Sequence, residues 1–209
     1  MKQTTTGLLL VVSGPAGVGK GTIDAELMKR NPRVKMSVSA TTRAPRPGEI
    51  EGVHYFFKTQ EEFEQMIADG AFLEYMNVFG MNYYGTPKDY VLRELAAGNH
   101  VILEIDVQGA RKVKECFPNA VRIFIAPPSM ETLKERLVGR GTETAEQIER
   151  RTATAFTEMR DMPACDYIVV NDDLETAVRQ MESIVIAEQC STSHNTDRIN
   201  EFLGGIETC

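Results

Sequence analysis

The run Gly14-Pro15-Ala16-Gly17-Val18-Gly19-Lys20 has the spacing G-x-x-x-x-G-K, which suits the binding of a polyphosphate. Its glycines let successive backbone N–H groups turn inward around anionic oxygens. A helix opening directly behind them adds the positive end of its dipole, and Lys20 supplies a point charge. A turn that merely joins a strand to a helix has no need of a lysine at that place. One position departs from the general pattern: Gly21 stands where a serine or threonine usually offers its hydroxyl to magnesium, and the hydroxyl comes one residue later, at Thr22. Magnesium is therefore expected to be held by phosphates and ordered waters, with no direct ligand from a loop side chain; Glu104, close in sequence to the strand-end Asp106, could help to order those waters.

A second anion site is expected at Arg43 and Arg46, two arginines set among Thr, Pro and Gly in an otherwise acidic chain. Guanidinium forks make bidentate, charge-assisted bonds to a monophosphate, and Tyr55 and Tyr84 can add phenolic donors. Taken alone, Glu74 reads equally as a charged residue on the outer face of a strand or as a carboxylate that reads a base. An ionised carboxylate accepts both donors on the N1/N2 edge of guanine, whereas adenine presents an acceptor at N1. Asp106 follows the apolar run 101–105 and so belongs at the carboxyl end of a strand, where ligands of α/β proteins bind.

Elements able to position these groups are legible in the pattern. Residues 7–12 form an apolar run suited to a buried parallel strand, and Ile23 and Leu27 lie one helical turn apart in a helix that stops before Asn31-Pro32. The strand-then-helix alternation returns at 100–105 with 110–116, at 121–126 with 130–138, and at 167–170 with 174–187. The fold class is α/β, with a parallel sheet core behind the phosphate loop flanked by helices. Residues 37–86 read as a small, mostly antiparallel lobe around one helix, which carries the capping box Thr59/Glu62 and the inward stripe Phe63, Met66 and Ile67. Arg140-Gly141-Thr142-Glu143 interrupts two helices and reads as a flap, followed by a helix start at Thr144 with Gln147. The resulting division is a core of 1–36, 87–138 and 161–209, a lobe of 37–86 and a helical lid of 139–160. The polar end after Ser191 is expected to fray or dock loosely.

Composition bounds the rest. A chain of 209 residues with 42% hydrophobic content holds one core with appended lobes. A net charge of −7 argues against a general basic face for nucleic acid. The apolar run near the start is too short for a membrane span, so no membrane association and a cytoplasmic location are expected. Cys116, Cys165, Cys190 and Cys209 show no paired spacing and read as reduced thiols. Monomer and homodimer both remain open.

The segment Ser37-Val38-Ser39-Ala40-Thr41-Thr42-Arg43-Ala44-Pro45-Arg46-Pro47-Gly48-Glu49, with Gly52-Val53-His54-Tyr55, closely resembles the monophosphate-binding signature of guanylate kinases. The resemblance continues through Phe72-Leu73-Glu74, Asn82-Tyr83-Tyr84-Gly85-Thr86, Glu104-Ile105-Asp106-Val107-Gln108-Gly109, Arg136 to Glu143 and Asn171-Asp172-Asp173. It implies transfer of the γ-phosphoryl group of ATP to GMP, with Mg²⁺ as cofactor. By the same resemblance, residues 37–86 are the GMP-binding lobe, in which Ser39, Glu74, Thr86 and Asp106 contact guanine. Arg140 and Arg151, with Arg136 in support, would reach the transferring group when the lid closes, and Asn171 lies near adenine; Arg150 reads as a plain surface charge. Two other readings stand beside this one: a non-catalytic guanylate kinase-like module that binds proteins, and another small-molecule kinase of the same architecture. The complete phosphate loop weighs against the first, and Glu74 with the Tyr83-Tyr84-Gly85-Thr86 run against the second.

Overall fold

The computed structural model describes residues 7–78, 80–139 and 144–206. In chain order the elements are β1 (Leu9–Ser13), α1 (Lys20–Arg30), β2 (Val34–Met36), β3 (Ala40–Thr41), β4 (Phe56–Phe57), α2 (Gln60–Ala68), β5 (Phe72–Val78) and β6 (Asn82–Pro87). They continue as α3 (Lys88–Ala96), β7 (His100–Glu104), α4 (Val107–Cys116), β8 (Val121–Ala126), α5 (Met130–Gly139), α6 (Ala145–Glu158), β9 (Tyr167–Val170), α7 (Leu174–Gln189) and α8 (Thr196–Ile206).

β1 is apolar through four residues because it is buried on both faces at the middle of a parallel sheet ordered β2-β7-β1-β8-β9. Its register sets Leu10 opposite Ile102 on one side and Val121 on the other. Alternate residues feed two cores. Leu10 and Val12 pack with Ile23 and Leu27 of α1 and Val178 of α7, while Leu9 and Val11 pack with Val91 and Leu95 of α3 and Val113 of α4. All strands of this sheet point their carboxyl ends toward the loop at 14–19, so α1, β7 and β9 deliver their terminal residues to one rim.

The lobe is a second sheet, ordered β4-β3-β6-β5. It is mixed and mostly antiparallel, as expected: β3 pairs antiparallel with β6 and β6 with β5, while β3 and β4 pair parallel. The predicted stripe of α2 packs on this sheet: the Phe63 ring stacks between Phe72 and Tyr83, with centroids 4.4 and 5.2 Å away. The Thr59/Glu62 capping box is formed, with Thr59 N donating to Glu62 at 2.8 Å.

β2 and α3 are among the elements that escaped the sequence pattern. β2 is only three residues long with one fully buried side chain, and α3 follows β6 without a break, so its period is masked by the strand before it. The end of the chain also holds more structure than its composition suggests. α8 is helical, and just before it the His194 ring bonds to the Asn119 carbonyl at 3.0 Å. Phe79, residues 140–143 and both termini lie outside the described residues, so the expected flap is not among them; the helix after it starts as predicted, with Thr144 N donating to Gln147 at 2.8 Å.

A buried ion cluster ties the end of α6 to the core. The short turn Met159–Ala164 presents Asp161, 2% exposed, to the guanidinium of Arg122 on β8 at 2.5 Å and to Nε of Arg111 on α4 at 2.6 Å. Arg122 also donates to the Ala164 carbonyl at 2.8 Å. Removing Asp161 would strand the buried Arg122 charge in the interior.

Candidate functional site

The phosphate loop is forced into shape by close contacts that only glycine permits. Gly14 adopts φ 143°, and a Cβ there would stand 2.2 Å from the Ile125 carbonyl oxygen. Gly19 caps α1 in the left-handed region at φ 95°, and a Cβ there would strike the Asn171 side chain at 2.5 Å. The loop is also held from behind. Asn171, buried at the end of β9, donates through Nδ2 to the Val18 carbonyl at 2.7 Å, and Arg136 of α5 donates to the Asn171 carbonyl at 2.9 Å. The side chains of Asn171 and Arg136 thus brace the loop backbone in this structure. Lys20 opens α1, and its ammonium donates to the carbonyls of Gly14 and Pro15 at 2.6 and 3.2 Å.

Across the rim stand the carboxylates. Glu74 leaves β5 just past a register shift and faces the start of α4. Its Oε1 accepts from the Thr86 hydroxyl at 2.8 Å, and its Oε2 lies 3.7 Å from where a Gly109 Cβ would sit. Burial pushes the Glu74 carboxyl above the usual carboxylate range, with the Thr86 bond opposing and Asp106 adding to the rise. Asp106 is the N-cap of α4, accepting from the Gln108 and Gly109 amides at 2.8 Å each. Ser39 sits half-buried beside β3, and its carbonyl accepts from Phe56 N at 2.9 Å.

The lobe's cationic corner is organised around Glu49. Arg43 donates to Glu49 Oε1 at 2.8 Å and lies over the Tyr55 ring, 5.5 Å from its centroid. The Arg46 backbone amide donates to Glu49 Oε2 at 2.7 Å. The hydrogen bond from Arg43 and then that from Arg46 hold the Glu49 carboxyl down at about 2. Tyr55 and Tyr84 meet edge to face at 6.1 Å, so Arg43, Tyr55 and Tyr84 form one patch. Arg46 is exposed at its margin.

Arg151 is exposed on α6, and Arg140 lies outside the described residues. Three acidic residues join the site that sequence reasoning did not place there. Glu49 lay within a recognised segment but carried no assigned role. Glu158 ends α6, two helical turns on from Arg151 on the same face; burial pushes its carboxyl up, against the pull of nearby Lys20. That spacing was the available signal. Asp24 of α1 is fully buried, and burial together with Glu104 pushes its carboxyl up to about 8. No pattern announced it, because Ile23 and Leu27 alone define an inward face for α1.

A glycine-shaped loop between a central parallel strand and a helix, facing a separate small lobe, defines a P-loop nucleotide-binding protein of the α/β class. The sequence model of the family described as guanylate kinase matches residues 6–188. A guanylate kinase of Caldanaerobacter subterraneus subsp. tengcongensis is 52% identical over 191 residues, covering 91% of this chain and 92% of that protein. That of Carboxydothermus hydrogenoformans is 53% identical over 183 residues, covering 88% and 89%. The crystal structure of guanylate kinase from Anaplasma phagocytophilum superposes with a TM-score of 0.72 at 34% identity, covering 95% of each chain. The chain belongs to the guanylate kinase family. An SH3-kinase fragment of tight junction protein 3 shares the fold alone, with a TM-score of 0.51 at 11% identity over 90% of this chain and 60% of that one.

Proposed function

We propose that the protein transfers the γ-phosphoryl group of ATP to GMP, giving ADP and GDP. The observation that carries this reading is Glu74, pinned by the Thr86 hydroxyl beside the start of α4. One carboxylate oxygen is spoken for, and the other is set to accept from a guanine donor. On this reading the Arg43, Tyr55 and Tyr84 patch holds the monophosphate with Arg46, and Ser39 and Asp106 complete the base pocket.

Phosphoryl transfer asks for position and charge neutralisation more than for a covalent catalyst. The loop amides of residues 14–19 cradle the donor phosphates. Lys20, held in this structure by two loop carbonyls, exchanges them for phosphate oxygens. Arg136 and Asn171 keep the loop in register, and Arg151 with Arg140 closes over the transferring group from a lid at 139–160. Closure excludes water as a competing acceptor.

Mg²⁺ fits the residues present. A Gly21 Cβ would lie 3.4 Å from Glu104 Oε2, so a carboxylate overhangs the bare start of α1 where a bound cation's waters need acceptors. Glu104 would order those waters, and the bound ion would neutralise charge on the phosphates. No helix among the described residues is long and apolar enough to cross a membrane, and we place the enzyme with its substrates in the cytoplasm.

The test is phosphoryl transfer from ATP to GMP, AMP, UMP and dTMP by the wild type, with Lys20→Met and Arg43→Met as controls. GMP is the preferred acceptor by orders of magnitude, and each substitution lowers turnover by about 10²–10³-fold. Equal rates across acceptors, or full turnover in either variant, would overturn the assignment.

A further inference from the structure

Asp24 lies one turn into α1, is 0% exposed, and keeps both carboxylate oxygens enclosed without a hydrogen-bond partner. Such a group is a cost to the apo fold, since an apolar side chain of like size would pack there without desolvating a charge. Its electrostatic neighbours are Glu104 and Lys20, which places it at the phosphate end of the site rather than in the structural core.

Gly21 precedes it by one turn. Helical side chains lean toward the N-terminus, so a residue covers the surface over the turn before its own Cα. The Asp24 side chain therefore leans toward the first turn of α1. Glu104 Oε2 comes to that turn from β7, 3.4 Å from the position of a Gly21 Cβ, and is Asp24's acidic neighbour. Two neighbouring carboxylates thus stand at the turn where a hydroxyl following the loop lysine would otherwise act. Thr22, the next hydroxyl in the chain, is exposed and turned about 100° further round the helix.

We infer that Asp24 and Glu104 form an acceptor pair for the waters of the nucleotide-bound magnesium ion, taking over at Gly21 the task of the missing loop hydroxyl. The inference rests on the magnesium reading above. Among the described residues no three metal-ligating side chains stand together, so the pair is no cage of its own and the phosphates complete the shell. Magnesium sheds water reluctantly, and acceptors one water removed hold it without disturbing its octahedral geometry. Lys20 is also an electrostatic neighbour of Asp24, so the ammonium and the metal ion draw on the same carboxyl group.

The test measures Mn²⁺ binding to the protein–ADP complex by electron paramagnetic resonance, and ADP binding in EDTA by calorimetry. Asp24→Asn weakens Mn²⁺ by about 10-fold or more, the usual cost of losing such a partner, and leaves ADP affinity in EDTA within about twofold. Adding Gly21→Ser to Asp24→Asn restores most of the loss, since a side chain at 21 meets only ordinary contact with Glu104. Glu104→Gln, on an exposed side chain, weakens Mn²⁺ in the same way and serves if Asp24→Asn does not fold. Unchanged Mn²⁺ affinity in these variants, or an equal loss of ADP affinity with and without metal, overturns the inference. A wild-type complex that binds Mn²⁺ no more tightly than free ADP does would instead overturn the magnesium reading itself.

Discussion

Glu74→Gln isolates the base-reading step with a change of one atom. In the wild type, Oε1 accepts from Thr86 and Oε2 faces the start of α4. If the glutamine oxygen keeps the bond to Thr86, its NH₂ occupies the place of Oε2 and meets a guanine N–H, donor against donor. If the amide turns over, the buried Thr86 hydroxyl loses its acceptor. Either way at least one charge-assisted hydrogen bond goes, worth about 1.5–3 kcal/mol, and an unmatched donor remains. At about 1.4 kcal/mol per tenfold, kcat/KM for GMP falls by roughly 10–150-fold. Steady-state kinetics with GMP, IMP and AMP at saturating ATP read this directly. IMP lacks the N2 donor, so the wild type disfavours it and the variant narrows the gap between GMP and IMP. The pH profile gives a second reading. Burial raises the Glu74 carboxyl, and guanine needs it ionised, so the wild-type KM for GMP climbs as pH falls while still above the ordinary glutamate range. In Glu74→Gln that limb is absent. Thermal unfolding changes little because the substitution is isosteric. A GMP kcat/KM within threefold of wild type, or an unchanged preference over IMP, would refute the reasoning.

Three further outcomes test the scaffold. Phe63→Ala empties the stack between Phe72 and Tyr83 and costs about 3–5 kcal/mol in urea unfolding; because α2 supports the sheet that carries Glu74, the KM for GMP rises before the ATP parameters do. Asp161→Ala leaves the buried Arg122 unpaired and destabilises by about 3–5 kcal/mol on the same measurement, whereas a loss below 1 kcal/mol would show that the cluster holds nothing together. His100 accepts from Leu8 N at 3.0 Å, and burial, helped by Arg33, lowers its pKa from 6.5 to about 4. The unfolded chain then binds the proton more readily, so stability is full above pH 6.5 and is lost as pH falls toward 4; His100→Asn removes that slope from a pH series of unfolding midpoints.

The phosphate loop could be read without a structure because its parts are contiguous: strand, glycine turn, lysine and helix follow one another within a single βα unit. The same holds for the capping boxes at Thr59 and Thr144 and for the alternating βα pattern, each a local consequence of side-chain period and hydrogen-bonding type. The order β2-β7-β1-β8-β9 is not local, and neither is the parallel pairing of β3 with β4 that makes the lobe mixed. Asn171 and Arg136 were legible as members of a nucleotide site, but their use as a brace for Val18 depends on β9 and α5 meeting behind the loop.

Sequence by itself pointed to a polyphosphate held on glycine-freed amides and, through the family resemblance, to the arginines and Glu74 as candidates for a second nucleotide. Tertiary structure decided which carboxylates face that chemistry. Glu74 is set by a hydroxyl on the neighbouring strand; Glu158 and Asp24 come to the site only when α6 and α1 pack on the rim. Charge, burial and partner are properties of the packed surroundings, and an aspartate at position 24 reads in sequence like any polar helix residue until the fold encloses it.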